Sequence, residues 1–248
     1  MPKLCFSFSG WLNIGLTAHG EAQARAAGET IRAHGLHVDE CYTSELCRAS
    51  DTLALCLQAA GIDGHDGSPI PPTHASWKLN ERHYGALTGL RKDDVKATLG
   101  SVALAKYRRD FDTPPMPMLP THPLFSAVYS TLTARGGGAP GYVENAPELA
   151  ALPVAESLSN CHDRVQAYVQ EHVHPALRAG KTVLVAAHNN VLRTLMVHLD
   201  NADPRGEHGS ADIPKAVPIV YQLDRTTMQV RKSSFSCVML SKFACQLV

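Results

Sequence analysis

The order of apolar and polar residues predicts alternating helices and short strands in the first part of the chain. The alanine-rich run "EAQARAAGETIRAH" has helical spacing, with Thr17 as its N-cap and Gly35 at its end. "VDECYTS" then predicts a short strand. "ELCRASDTLALCLQAAG" predicts a second helix that stops at Gly61, and a loop rich in Gly, Pro and Asp follows as far as Thr73.

The C-terminal part repeats this alternation. The apolar residues Leu158, Cys161, Val165, Val169 and Val173 have helical spacing. "KTVLVAA" is a continuous apolar run of strand length, which is typical of a strand covered on both faces. "NVLRTLMVHL" predicts a helix after it, and "VPIVYQL" predicts another strand. We therefore expect an α/β fold with three layers, α/β/α, in which helices cover both faces of a mainly parallel sheet.

The region between these two parts does not follow either period. "DTPPMPMLPTHP" (112–123) contains too many prolines for a helix or a central strand, and "ARGGGAPGYVENAPELAALP" farther on is rich in glycine and proline. We interpret residues 112–154 as an irregular, lid-like insertion around one short helix. The prediction is a single domain over residues 1–248 that carries this insertion.

Composition narrows the class of protein. Lys and Arg together number 23, and Asp and Glu together also number 23, so the formal net charge is zero. The net charge therefore does not favour nucleic acid or an anionic membrane as a partner. No apolar run is long enough for a membrane span, and no signal peptide is evident. The seven cysteines are scattered without a CxxC pair, which favours reduced thiols. We expect a cytoplasmic protein.

Candidate chemistry collects at the predicted carboxyl ends of the strands, where open parallel sheets bind ligands. Arg48 lies in the first turn after the strand "CYT". His188 ends the run "VLVAA", and Asn189 and Asn190 open the next helix. The N-terminus of a helix suits an anion, and a histidine there can donate to a phosphoryl oxygen. Taken alone, a histidine after an apolar strand is more often structural.

A third polar segment, "SWKLNERHYGALTGLRKDD" (76–94), surrounds one carboxylate with cations. Glu81 is a candidate acid or base for a hydroxyl proton. Its neighbours include Arg82, Tyr84 and Lys92, and a further cationic pair, Arg108 and Arg109, stands in "YRRDF". Each charge taken singly is best explained as a solvated surface residue.

Together these segments resemble the cofactor-dependent phosphoglycerate mutases. "SWKLNERHYGALTGL" is very similar to a motif of that family. "FSGWLNIGLTAHGEAQARAAG", "YTSELCRASDTL", "YRRDFDTPP", "ESLSNCHDRV", "VLVAAHNNVLR" and "IPKAVPIVYQLD" follow the family's order. The resemblance covers roughly residues 8 to 224, apart from the lid-like insertion.

The resemblance implies that 2,3-bisphosphoglycerate phosphorylates a histidine, which then exchanges the group between the 2- and 3-hydroxyls of glycerate without a metal. It implies small-molecule phosphoglycerates as partners and a homodimer or homotetramer as the assembly. Arg48 and His188 would hold the transferred phosphoryl group, and Glu81 would handle the hydroxyl proton. The implied substrate-binding residues are Ser9, Gly10, Arg82, Tyr84, Lys92, Arg108, Arg109, Asn189 and Asn190.

The sequence departs from the family at three places. The family's nucleophile lies in an Arg-His-Gly motif that ends its first strand, whereas here only "MPKLCFS" precedes "FSGW". His19 matches a later helix start, so we expect it to be exposed and assign no nucleophilic histidine. Asn189 replaces a glycine, and Ala155 replaces a threonine. We hypothesise that residues 3–8, "KLCFSF", occupy the vacated position beside the strand that ends at His188.

These observations leave three functional hypotheses open. The first is a phosphoglycerate mutase whose activity is weak or absent in the chain as written. The second is an anion-binding pseudoenzyme that keeps the pocket. The third is a bisphosphoglycerate mutase or phosphatase-like activity. The complete "SWKLNERHYGALTGL" favours the mutase over a general phosphatase.

Overall fold

A five-stranded sheet forms the centre of the protein, with strand order β2-β1-β3-β5-β4. The computed structural model describes residues 7–65, 67–133, 152–206, 213, 215–231 and 244–245. The strands pair in parallel except for β4, which runs antiparallel to β5. The strands are β1 (Glu40–Thr43), β2 (Thr73–Ala75), β3 (Val183–Ala186), β4 (Ile219–Val220) and β5 (Ala244–Cys245).

Seven α-helices connect and cover the described strands. They are α1 (Ala18–Ala33), α2 (Cys47–Ala60), α3 (Lys92–Arg109), α4 (Phe125–Thr133), α5 (Leu158–Tyr168), α6 (His174–Arg178) and α7 (Asn189–Leu199). A π-helical turn, Val169–Val173, joins α5 to α6. Across the part of the chain that the structure describes, no helix is both long and apolar enough to cross a membrane.

The side chains of β3 show how the layers form. Val183 and Val185 point into a core shared with α5, α6 and α7, whereas Leu184 and Ala186 point into a core shared with α1 and α2. Successive residues of a strand face opposite sides of the sheet, so a buried strand must be apolar throughout. The predicted α/β/α arrangement is therefore confirmed.

The predicted ends of the first two helices are also confirmed. The Thr17 hydroxyl accepts a hydrogen bond from the Gly20 amide at 3.1 Å, which caps α1. Helix α2 ends at Gly61, whose φ of 73° is the left-handed conformation that glycine adopts at low cost.

Helix α3 was not recognised from the sequence because it lacks an apolar face. Val95 is its one buried residue, while Leu99 and Val102 are 40% and 81% exposed. Gly100, with φ of 85°, also interrupts the helical geometry midway. Without a regular apolar stripe, hydrophobic periodicity gives no helix signal.

The hypothesis for residues 3–8 is wrong in its described part. Ser7 pairs with Arg91, and Phe8 exchanges backbone hydrogen bonds with Gly89 and Leu90. The position beside β3 belongs instead to β5, because Leu184 and Val185 pair with Ala244 and Cys245. The remaining residues of that predicted strand, up to residue 6, lie outside the described residues.

The lid-like insertion has an ordered contact with the N-terminal loop. Its short helix is α4, and Val128 and Tyr129 pack with Trp11, Met118 and Leu152 in one apolar cluster. Residues 134–151 of the insertion lie outside the described residues. Its role as a lid stays a prediction.

Candidate active site

The ends of two strands meet beside His188. Thr43, the last residue of β1, donates its hydroxyl to the Ala186 carbonyl of β3 at 2.9 Å. The next residue, Ser44, is buried and lies 2.7 Å (Oγ to Nε2) from the imidazole of His188. His188 precedes α7, and its side chain makes no capping bond to that helix. The first amides of α7 therefore have no side-chain cap from His188.

His188 is held in its neutral form. It is 1% exposed, and burial lowers its pKa well below the usual histidine value. The positive charges of Arg48 and Arg164 lower the pKa further. A neutral imidazole retains one N–H donor without adding a buried charge.

Arg48 fixes the loop that precedes α1. Its Nη1 donates to the Leu12 carbonyl at 2.9 Å, and its Nη2 donates to the Gly10 carbonyl at 2.8 Å. Asn13 Oδ1 accepts from the Cys47 amide at 2.7 Å, which joins the same loop to the start of α2. The charge of Arg48 acts on His188, and two of its nitrogens are used to bind this loop.

Glu81, Tyr84 and Asn190 form one hydrogen-bonded network. The amide Nδ2 of Asn190 donates to Glu81 Oε1 at 2.9 Å and to the Tyr84 hydroxyl at 3.2 Å. Glu81 Oε1 also accepts from the Arg82 backbone amide at 2.8 Å. The Trp11 indole donates to the Glu81 carbonyl, so both the backbone and the side chain of Glu81 are fixed. The structure thus brings together residues that are far apart in sequence.

Arg82 stacks on Tyr84 of this network, and Lys92 on α3 lies within the influence of other cations. The guanidinium of Arg82 is fully buried, lies 4.5 Å from the centre of the Tyr84 ring, and donates to the Tyr107 carbonyl at 2.7 Å. Its Nε and Nη1 have no hydrogen-bond partner among the described residues. Burial lowers the pKa of Lys92, and the charges of Arg108 and Lys215 lower it further. Unpartnered guanidinium donors and neighbouring cations suit an anionic ligand.

For the other predicted site residues the structure gives only local contacts and conformations. Ser9 is half-buried, and its carbonyl accepts from the Leu12 amide. Gly10 adopts a φ of 47°. Asn189 is the half-buried first residue of α7. Arg109 is exposed and borders a cleft with Arg205, not the Glu81 network.

Arg164 was not among the residues selected from the sequence. It lies on α5, where it binds Glu156 through two hydrogen bonds, and its charge acts on His188. Its Nη1 donates to three backbone carbonyls of residues 77–80. Arginine and glutamate are ordinarily exposed residues, so the sequence carries little signal for this buried pair.

Comparisons with known proteins show the family of the chain. The family model of the histidine phosphatase superfamily (branch 1) matches residues 5–122. The chain is 38% identical to the 2,3-bisphosphoglycerate-dependent phosphoglycerate mutase of Nitratidesulfovibrio vulgaris, covering 88% of this chain and 80% of that protein. It is 36% identical to the phosphoglycerate mutase of Candida albicans, covering 92% and 84% respectively. This chain belongs to the phosphoglycerate mutase family of the histidine phosphatase superfamily.

Solved structures of the superfamily share the fold. A mycobacterial glucosyl-3-phosphoglycerate phosphatase superposes with a TM-score of 0.60 at 18% identity, covering 91% of this chain and 89% of that chain. The phosphoglycerate mutase of Bacillus anthracis superposes with a TM-score of 0.52 at 18% identity, covering 80% and 74%. The chain is thus an enzyme-family member in both sequence and fold.

Two other histidines of this phosphoglycerate mutase family member, His83 and His19, lie in very different surroundings. His83 Nδ1 accepts from the Gly85 amide at 2.9 Å, so Nε2 carries the proton and faces the Tyr129 hydroxyl at 3.1 Å. Burial lowers the pKa of His83 to about 4. His19 is exposed in the first turn of α1, as expected. Within the described ranges, no three His, Cys, Asp or Glu side chains cluster as metal ligands.

Proposed function

We propose that the edge formed by Arg48, His188 and the Glu81 network binds 2- and 3-phosphoglycerate for phosphoglycerate mutase chemistry. In that reaction 2,3-bisphosphoglycerate donates the phosphoryl group to a histidine. The observation that carries the proposal is the Asn190 amide, which joins Glu81 to Tyr84 beside buried cations. Such a pocket combines one proton-transfer group with several anion-binding groups, which is what phosphoryl exchange on a hydroxy acid needs.

The proposed roles are those that the resemblance implies, and charge and hydrogen-bond donors support them. His188 and Arg48 bind the phosphoryl group that moves, because one is a neutral donor and the other a cation. Glu81 accepts the proton of the substrate hydroxyl. The resemblance assigns the carboxylate and the second phosphate to the remaining residues, and we keep this role for Ser9, Gly10, Arg82, Tyr84, Lys92, Arg108, Asn189 and Asn190. Arg109, which borders the cleft with Arg205, is left out of the proposed site. Forked guanidinium groups match the oxygens of both anions.

We also propose that the chain of 248 residues binds phosphoglycerates but transfers phosphoryl groups weakly or not at all. His188 is buried, and its Nε2 is engaged by Ser44. His19 lies exposed on α1. Neither is placed as a free nucleophile beside the cations. The chain would then be the anion-binding pseudoenzyme, and the unpartnered donors of Arg82 support its anion site. Cytoplasmic location and a dimeric or tetrameric state stay predictions of the resemblance.

Binding and chemistry are tested separately. Calorimetry with 3-phosphoglycerate compares the wild type with Lys92→Met, in the site, and Lys96→Met, exposed one turn along α3. We expect the Lys92 variant to lose about tenfold in affinity and the Lys96 variant to match the wild type. Equal affinities in all three proteins would remove α3 from the site.

Intact-mass measurement after incubation with 2,3-bisphosphoglycerate tests the chemistry. We expect no acid-labile phosphoryl group on the folded chain. A stoichiometric phosphohistidine with mutase turnover would show that the chain is an active mutase, and peptide mapping would then identify the nucleophile. Release of inorganic phosphate without mutase turnover would favour the phosphatase-like hypothesis.

A further inference from the structure

Ser44 has a hydrogen-bond arrangement that decides where His188 carries its proton. The Ser44 side chain is fully buried, and its Oγ lies 2.7 Å from His188 Nε2. The same Oγ accepts a hydrogen bond from the Leu46 amide at 3.2 Å. The Leu46 amide is a donor, so it cannot accept the hydroxyl proton of Ser44. That single proton therefore needs another group as its acceptor.

The two neutral tautomers of His188 differ in how many buried groups they leave unsatisfied. If Nε2 carried the proton, it would donate to Ser44, and the buried hydroxyl proton of Ser44 would lack an acceptor. His188 Nδ1, which has no partner among the described residues, would then be an unmet acceptor as well. If Nδ1 carries the proton, the Ser44 hydroxyl donates to Nε2, and one N–H remains unmet. Unsatisfied buried polar groups are costly, so the second tautomer is favoured.

We infer that Ser44 is a positioning residue that holds His188 as the Nδ1–H tautomer, so that the free N–H donates to an oxygen of the bound phosphoryl group. This inference rests on the proposed function for the identity of the ligand. The inference assigns a ligand-binding role to the buried Nδ1, which has no hydrogen-bond partner among the described residues. It also explains why a serine without a nucleophilic role stands fully buried at the carboxyl end of β1.

The electrostatics of the pocket make the tautomer important. Burial and the charges of Arg48 and Arg164 hold the pKa of His188 well below its usual value, so the ring is neutral near pH 7. A doubly protonated ring would donate from both nitrogens whatever Ser44 did. A neutral ring has one donor, and the group that accepts or donates at the other nitrogen decides which one it is.

Thr43 provides a matched control in the same strand. Its hydroxyl is equally buried and donates to the Ala186 carbonyl instead of contacting His188. Thr43→Val removes a buried hydroxyl, so we expect it to destabilise the fold by an amount comparable with Ser44→Ala. A difference between these two variants at His188 therefore reports on the Ser44 hydroxyl and not on general loss of stability.

The test is nitrogen-15 NMR of the imidazole groups in the full chain, with His188→Gln used to assign one of the 13 histidine signals. We expect the wild type and Thr43→Val to show a protonated Nδ1 and an unprotonated Nε2. Ser44→Ala should show a mixture of tautomers. In calorimetry with inorganic phosphate, Ser44→Ala should bind about fivefold more weakly than Thr43→Val.

The outcomes separate this inference from the proposed function. If His188 of the wild type carries its proton at Nε2, the inference is wrong. This measurement does not depend on the folding of any variant. An unchanged tautomer and affinity in Ser44→Ala also overturn it. If the wild type has the Nδ1–H tautomer but does not bind phosphate or phosphoglycerate, the tautomer control by Ser44 stands and the proposed function fails.

Discussion

Arg164 binds both carboxylate oxygens of Glu156, with Nε 2.6 Å from Oε1 and Nη2 2.8 Å from Oε2. The two side chains are 8% and 3% exposed. The third nitrogen of Arg164 donates to carbonyls of residues 77–80, and Glu156 Oε2 accepts from the His83 amide. The pair therefore holds both ends of the short segment that carries Glu81.

Removing one charge of this buried pair should be costly. In Glu156→Gln the Arg164 guanidinium stays buried without its counter-charge, so we expect the free energy of unfolding to fall by about 3–5 kcal/mol. Burial otherwise disfavours the charged guanidinium, and Glu156 is the main group that compensates for it. Urea denaturation at pH 7 measures the change.

An exposed pair serves as the control for that experiment. Arg205 binds Asp112 at 3.0 Å, and these side chains are 60% and 62% exposed. Asp112→Asn should cost less than about 1 kcal/mol, because water solvates both charges. If Glu156→Gln cost no more than Asp112→Asn, the Arg164–Glu156 pair would not hold the segment around Glu81.

The stability of the fold should fall between pH 7 and pH 5 because buried histidines cannot take up protons. Burial lowers the pKa of both His83 and His174 to about 4. The unfolded chain binds a proton at each below about pH 6.5, whereas the folded chain does not. Stability is therefore complete above the unfolded pKa and is lost as pH falls toward 4. Each residue should contribute a loss of about 2 kcal/mol at pH 5.

His174→Gln tests this pH dependence. Urea denaturation of the wild type and the variant at pH 7, 6 and 5 should show a loss smaller by about 2 kcal/mol in the variant. The exposed His19 supplies the control, and His19→Gln should follow the wild-type curve. Parallel curves for the wild type and His174→Gln would show that His174 is protonated in the folded chain.

The sequence carried most of the fold and part of the site, for different physical reasons. The run Val183–Ala186 is apolar on both faces, so its position as a buried strand was predictable from local pattern. The network of Glu81 and Asn190 was predictable from family resemblance, although 109 residues separate the two. Resemblance supplied that contact, because no local pattern spans such a distance.

Other features could be predicted neither from the local sequence pattern nor from the family resemblance. The position of β5 in the sheet beside β3 depends on long-range backbone pairing, which residue types hardly encode. The roles of Ser44 and Arg164 depend on burial and donor counting, which need coordinates. A serine or an arginine in the sequence is ordinarily a surface residue, so neither stands out until its partners are known.

The close contact between α1 and α2 should not tolerate a side chain at Gly28. A Cβ there would lie 2.1 Å from the Cys56 carbonyl oxygen and 2.8 Å from the Ala59 Cβ. Alanine favours helix by about 1 kcal/mol over glycine, but overpacking against fixed backbone outweighs this gain. We expect Gly28→Ala to lower the free energy of unfolding by about 1–3 kcal/mol, measured by urea denaturation.

Gly20 on the same helix is the control for this contact. The nearest atom to a Cβ at Gly20 lies at 3.4 Å, which is ordinary contact. Gly20→Ala should leave stability unchanged or raise it slightly. If both alanine variants were stabilising, α1 and α2 would have to pack farther apart than the structure places them.

Asn190 and Glu81 should act as one unit when phosphoglycerate binds. Asn190→Leu removes the amide that donates to Glu81 Oε1 at 2.9 Å, and Glu81→Gln weakens the same hydrogen bond from the other side. A double-mutant cycle on the binding of 3-phosphoglycerate should therefore show a coupling energy of about 1 kcal/mol. Calorimetry on the wild type, both single variants and the double variant supplies the four affinities.

Lys92 tests whether that coupling is specific to the hydrogen bond. No hydrogen bond joins Lys92 to Asn190 among the described residues, although both belong to the proposed site. The cycle of Lys92→Met with Asn190→Leu should be additive within about 0.5 kcal/mol. Strong coupling in this second cycle, or additivity in the first, would mean that Asn190 does not act through Glu81.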